Sequence, residues 1–146
     1  MSNLSTITIL YVPRQIQFKE VVASFLSNGW NIDDHGAISY IPLGSNDVSQ
    51  WYRSKLDKHE QILKILEEKE KKGELIGLVI MWKESGIGCS LLFHEVGKLT
   101  FGLNVNRKFF QKNERLTDVN WYIKRLIPPL VSVGSKVVSI KWEENI

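Results

Sequence analysis

Several short stretches of the chain hold residue types able to do chemistry, and spacing decides against most of them. His59-Glu60 opens like the zinc-binding helix of metalloproteases. That motif needs a second histidine one turn on, so that two imidazoles face one ion. Leu63 stands there instead, so no metal is expected and His59 reads as a helix-face residue. Cys89 and His94 are a thiol and an imidazole five residues apart, and on a strand that separation sends them to opposite faces. Cys89 shares its phase with Leu91 and Phe93 and reads as a buried thiol. His94 falls in phase with Ser90, facing solvent or a partner. Asp33-Asp34-His35 offers an acid, a base or two oxygen ligands. Directly before Gly36, however, such a run makes a turn more readily than a site. Gly86, Gly88, Gly97 and Gly102 build no loop that leads from a strand into a helix through Lys-Ser or Lys-Thr, so no phosphate cradle is expected. The sequence assigns no catalytic, cofactor-binding or metal-binding residue and predicts no enzyme. An enzyme would need Asp33, Asp34 or His35 to meet a polar group from a distant strand.

What remains is contact chemistry. Arg107-Lys108-Phe109-Phe110-Gln111-Lys112, with Arg115 beyond, is the one concentrated basic and aromatic stretch. Its cations suit phosphates and its rings suit stacked bases. The plainer expectation is that Phe109 and Phe110 plug the core while the charges solvate a loop. Trp51, Arg53, Trp121 and Arg125 are of the types that dominate protein interfaces, because large flat groups bury much area at small entropic cost. Trp51 and Trp121 suit a core equally well. The residues expected at a partner surface are Trp51, Arg53, His94, Arg107, Lys108 and Trp121.

These residues must be carried by ordinary elements. Ile7 to Val12 is a β-branched strand stopped by Pro13. Phe18, Val21, Val22, Phe25 and Leu26 recur at helical spacing, and Asn28-Gly29 ends that helix. Ala37 to Ile41 is a second strand. From about Asp47 to Lys72 the spacing predicts the longest helix, with Val48, Tyr52, Leu56, His59, Ile62, Leu63 and Leu66 on one stripe and Gly73 as its stop. Leu75 to Lys83 is nearly all apolar, as a strand covered on both faces would be. Ser85-Gly86 and Val96-Gly97 turn the chain into Ile87–His94 and Lys98–Asn106, which completes a three-stranded meander. A third helix starts at Thr117 or Asp118 and is expected to end at Pro128-Pro129. Val137 to Trp142 is the last strand. The order β-α-β-α-β-β-β-α-β, with no long linker, predicts one α+β domain over residues 1–146 with a mainly antiparallel sheet.

Composition bounds the rest. The 146 residues are enough for one core without disulfides or a metal. A charged fraction of 24% against 43% hydrophobic argues for a folded rather than a disordered chain. The single cysteine permits no internal disulfide, and Met1–Thr6 lacks the basic and apolar regions of a signal peptide, so a cytoplasmic protein without a membrane span is expected. The net charge of +3 leans toward an acidic partner surface.

Asn28-Gly29-Trp30, Asp34-His35-Gly36, Ile38-Ser39-Tyr40-Ile41-Pro42-Leu43-Gly44, then Asp47 and Trp51, resemble segments of bacterial polymorphic-toxin immunity proteins of the contact-dependent growth inhibition type. The resemblance implies a non-catalytic protein that neutralises a cognate toxin domain in a tight cytoplasmic complex. Immunity proteins against nucleases are often acidic, whereas this chain is basic. The resemblance therefore implies a toxin with an acidic contact surface, or binding away from a nucleic-acid cleft. The reading from a different class is a small nucleic-acid-binding module that uses residues 107–115.

Overall fold

The computed structural model describes residues 5–12, 16–111 and 116–144. In chain order they form β1 (Ser5–Val12), α1 (Phe18–Ser27), β2 (Trp30–Asn31), β3 (Ala37–Tyr40) and β4 (Tyr52–Lys55). A 3₁₀ turn (Leu56–Lys58) leads into α2 (His59–Lys71). Then come β5 (Ile76–Trp82), β6 (Gly88–Phe93), β7 (Lys98–Val105), α3 (Val119–Ser132) and β8 (Lys136–Glu144). The fold is α+β, with the meander β5-β6-β7 at its centre. The strands make one open sheet in the order β4-β3-β5-β6-β7-β1-β8, with β2 pairing the far end of β5. Every pairing is antiparallel.

Strand alternation fixes which face is covered. Ile7, Ile9 and Tyr11 of β1, Cys89, Leu91 and Phe93 of β6, and Leu99, Phe101 and Leu103 of β7 all enter one core. The three helices close that core. Phe18 meets Phe93 with ring centroids 5.2 Å apart, and Phe25 meets Phe101 at 6.0 Å. Ile62 and Leu66 of α2 and Tyr122, Leu126 and Leu130 of α3 complete it. Each such side chain contributes about 2 kcal/mol on burial. The opposite face carries Thr8, Thr100, Gly102 and Asn104 and is largely open. β5 is buried on both sides, Ile41 and Trp51 folding over its first residues, and β6 is nearly so. A Cβ on Gly77 would lie 2.5 Å from Ile41 Cδ1 and 2.9 Å from the Trp51 ring, so only glycine fits there.

Two elements depart from the sequence expectation. The helix predicted from Asp47 begins at His59. Asp47 accepts the Ser49 backbone and hydroxyl at 2.9 and 2.7 Å, which closes a local turn. Tyr52-Arg53-Ser54-Lys55 then pairs with β3. The apparent helical stripe through Val48 and Tyr52 ends with both residues 58% exposed. The second departure is α3, which runs through Pro128 and Pro129 to Ser132. Proline in a helix leaves the carbonyl four residues back without its donor. For Pro129 that carbonyl belongs to Arg125, and the indole N–H of Trp30 donates to it at 2.9 Å. Ser24 Oγ also donates to the Pro129 carbonyl at 2.6 Å. Contacts with α1 and β2 thus carry the helix past its prolines.

Candidate functional site

The β4 edge of the sheet holds the densest arrangement of anchored polar groups and exposed apolar ones. Asp34-His35-Gly36-Ala37 is a tight turn with φ of +55° at His35 and +92° at Gly36, the left-handed pair that a two-residue hairpin demands. Asp34 is buried beneath it. Its Oδ2 accepts Ser39 Oγ at 2.7 Å and Arg53 Nη1 at 3.0 Å, and its Oδ1 pairs with His35 Nδ1 at 2.8 Å. Arg53 Nη2 also donates to the Asp34 carbonyl at 2.9 Å. Burial by itself raises the Asp34 pKa. The hydrogen bonds from Ser39 and His35 and the charge of Arg53 outweigh it and hold the carboxyl below the usual range. Arg53 is therefore oriented by its partners while its side chain stays 52% exposed.

The loop from β3 to β4 is stitched just as firmly. Lys69 of α2 is fully buried, and its ammonium donates to the carbonyls of Pro42 and Ser45 at 2.6 and 2.8 Å and lies 3.2 Å from Glu74 Oε1. Glu74 accepts the Gly44 amide at 2.8 Å, and Asn46 Oδ1 accepts the Leu75 amide at 2.8 Å. The Gly44 amide, with help from Lys69, keeps the Glu74 carboxyl below its ordinary range. Ser45 Oγ donates to Gln50 Oε1, and Trp51 Nε1 donates to the Val48 carbonyl, both at 2.6 Å. On this fixed backbone Leu43, Val48, Tyr52 and Leu56 are all large exposed hydrophobics. Tyr52 stands edge-on to Tyr40 at 6.4 Å between centroids.

The residues expected at a partner surface divide between two places. Trp51 and Arg53 belong to this edge, Trp51 half-buried over Gly77 and Arg53 largely exposed. Arg107, Lys108 and Trp121 gather at another corner, where the chain leaves β7 and enters α3. The Lys108 amide donates to Tyr122 Oη at 2.9 Å, and Asp118 caps α3 by accepting the Trp121 amide at 3.2 Å. Burial pushes the Tyr122 phenol up to about 12. Trp121 is half-buried with the Arg125 guanidinium 4.2 Å above its ring. Arg107 lies 3.6 Å from Glu144 and 5.5 Å from the Phe109 ring. His94 is exposed just past β6, apart from both groups, beside Glu95 and Lys98.

Phe109 and Phe110 do not plug the core. They are 39% and 63% exposed, because Phe109 bridges to Thr117 across a rim loop whose rings turn outward, while Tyr122 fills the space beneath. Lys112 and Arg115 lie outside the described residues. Cys89 is wholly buried, and desolvation raises its thiol pKa far above the ordinary value, so it stays protonated. A mostly apolar cleft of about 220 Å³ between α1 and α2 is lined by Phe18, Val22, Ala23, Leu26, Leu63 and Leu66, with Lys19 and Glu67 as its charged members. Among the described residues no group of three or more His, Cys, Asp or Glu is placed to hold a metal ion, and no helix is long and apolar enough to cross a membrane.

Sequence reasoning missed the anchors. Lys69 is not singled out among the charges of its helix, and Asp34 reads as a turn residue. The available signal was indirect: Ile38, Ser39 and Tyr40 alternate, which turns Ser39 to the face opposite the core. Comparison with protein-family models, with curated proteins and with solved structures returns no match.

Proposed function

We propose that the chain is a non-catalytic binding protein whose β4 edge seats a protein partner, and that it neutralises a cognate toxin domain as an immunity protein. One observation carries the binding half: the loop and strand from Leu43 to Leu56 expose four large apolar side chains on a backbone held by Lys69 and Asp34. A rigid surface loses little entropy on association, so exposed Tyr52 and oriented Arg53 have the character of interface anchors. The toxin half rests on the resemblance, whose residues include the Asp34–Gly36 turn, β3 and the loop to Trp51 that lie beside β4. Lys55 and Lys58 beside it favour acidic groups at the partner's rim.

Co-expression with the product of the adjacent upstream gene tests this reading. A tight complex is expected, with Tyr52→Ala and Arg53→Glu each weakening it at least tenfold. Recovery of no complex, or a complex indifferent to both changes, would sink the idea. Exposed Phe109 and Phe110 beside Lys108 favour a second reading, single-strand nucleic-acid binding by the stretch 107–115. The nearby Glu144 carboxylate offsets the charge of Arg107 and makes this the weaker of the two. It requires oligonucleotide binding that falls steeply with salt.

A further inference from the structure

β8 ends the sheet opposite β4, and among the described residues nothing pairs with its outer side. Edges are protected by being short, bulged or charged; β8 has one irregularity and carries charges, yet runs nine residues, seven of them exposed. Ile140 and Trp142 stand on the helix side opposite Ile9 and Ile7, and are 41% and 37% exposed. Lys141 and Glu143 stand on the other side, opposite Thr8 and Thr6, with 3.7 Å between their charged ends. The Trp142 ring is pinned, its Nε1 donating to Ser5 Oγ at 3.1 Å.

We propose that a second copy of this chain pairs with β8, antiparallel, about a twofold axis at Trp142, to make one sheet that continues through both molecules. This surface lies at the far end of the sheet from the β4 edge and stands independently of the function proposed there. The charge pattern selects both the occupant and the register. An irregularity against Leu10 and Tyr11 displaces Val138, where it lies beside Leu10 and Val12, so the regular stretch is Ser139–Glu144. Opposed residues in an antiparallel pair share a face, so an axis perpendicular to the sheet must pass through a residue. An axis at Lys141 opposes Lys141 to its own copy, and an axis at Glu143 opposes two glutamates. An axis at Ile140 sets Trp142 against the displaced Val138. The axis at Trp142 sets each Lys141 against Glu143 of the second copy and brings the two indoles together. Like charges directly opposed destabilise a strand pair and unlike charges stabilise it. Such an interface is isologous and closes at two copies.

Sedimentation equilibrium on the purified chain, from about 1 to 100 µM, tests the proposal. The wild type is expected at twice the chain mass. Lys141→Glu and Glu143→Lys should each weaken the dimer at least tenfold, while the double reversal Lys141→Glu/Glu143→Lys restores it. Both side chains are solvent-exposed, and circular dichroism verifies that every variant folds. A Trp142→Cys variant supplies a second reading. Its two Cα atoms would lie at strand-pair separation, within disulfide reach, so mild oxidation should give a covalent dimer. A monomeric wild type, a dimer unaffected by either single reversal, or singles that dissociate without rescue by the double overturns the proposal. An extended segment of another protein captured by a monomeric wild type would likewise overturn it, since the occupant would then not be a second copy.

Discussion

β4 and β8 close the same sheet at opposite ends and are built on different terms. β4 is four residues long, and its exposed apolar groups sit on backbone fixed by buried charges: Lys69 beneath the loop and Asp34 beneath the strand. β8 is nine residues long, and its apolar groups alternate with an exposed Lys141–Glu143 pair that is complementary to its own reverse. At one edge side-chain anchors shape a surface for a particular partner. At the other the strand's own backbone and sign pattern are the surface. Exposed apolar area therefore does not by itself say what an edge is for, and the tethering beneath it is the more informative quantity.

The largest effect that can break this contrast comes from Lys69. Lys69→Met keeps the stem and removes the ammonium, leaving the Ser45 carbonyl without that donor, the Pro42 carbonyl with only the Ser45 amide at 3.2 Å, and Glu74 without its Lys69 ion pair. Breaking a buried charged arrangement from one side costs about 3 kcal/mol. Urea unfolding should show that loss, and amide exchange should accelerate in residues 42–46 while β8 keeps its protection. Equal loosening of both edges would mean that Lys69 supports the whole fold and not one edge.

Asp34 gives a smaller, pH-dependent effect at the same edge. Its folded pKa is depressed, so the stability it contributes is fully present above the unfolded aspartate value of about 4. That stability is lost as pH falls through the depressed folded value. Asp34→Asn should therefore lower stability at neutral pH by about 2 kcal/mol, with the gap to wild type closing in acid. Glu144 is also depressed, by Thr117, Ser5 and Arg107 against the opposing effect of burial, so wild type and variant share a further acid transition that cancels from the gap between them. Thermal melts from neutral to strongly acid pH measure both. A gap that stays constant across that range would place the defect of the Asp34→Asn variant in packing and not in charge.

How much of this was legible in the sequence follows from the range of the forces. The meander, three helices and a β5 buried on both sides could be read from periodicity, because alternation in Leu99–Val105 and the apolar run Leu75–Trp82 are local. The start of α2 was not, since the stripe from Val48 to Leu66 satisfies a helical period and only the Asp47–Ser49 turn and the tertiary pairing of Tyr52–Lys55 with β3 break it. The passage of α3 through Pro129 depends on Trp30, which lies far away in the chain. The site was half legible. Trp51 and Arg53 were chosen by residue type, while the charges that fix their surroundings, Asp34 and Lys69, are ordinary polar residues until tertiary structure buries them.

The mildest change sharpens the other side of the contrast. Trp142→Phe keeps an aromatic ring on β8, trims the indole to a phenyl and removes the N–H that donates to Ser5 Oγ. Ser5 Oγ keeps the Glu144 carboxylate as a partner, with the Thr117 hydroxyl 3.3 Å away, so no buried hydroxyl is orphaned, and the monomer should lose about 1 kcal/mol, the worth of one neutral hydrogen bond. Binding at β4 should not change. Because β8 has few side-chain tethers of this kind, freeing the ring should alter the outer surface of the strand more than its stability. Indole emission reports little here with other tryptophans present, so amide exchange of residues 139–144 is the measurement. Faster exchange confined to those residues is expected. A loss as large as that of Lys69→Met would show that β8 is anchored as firmly as β4, and the distinction between the two edges would disappear.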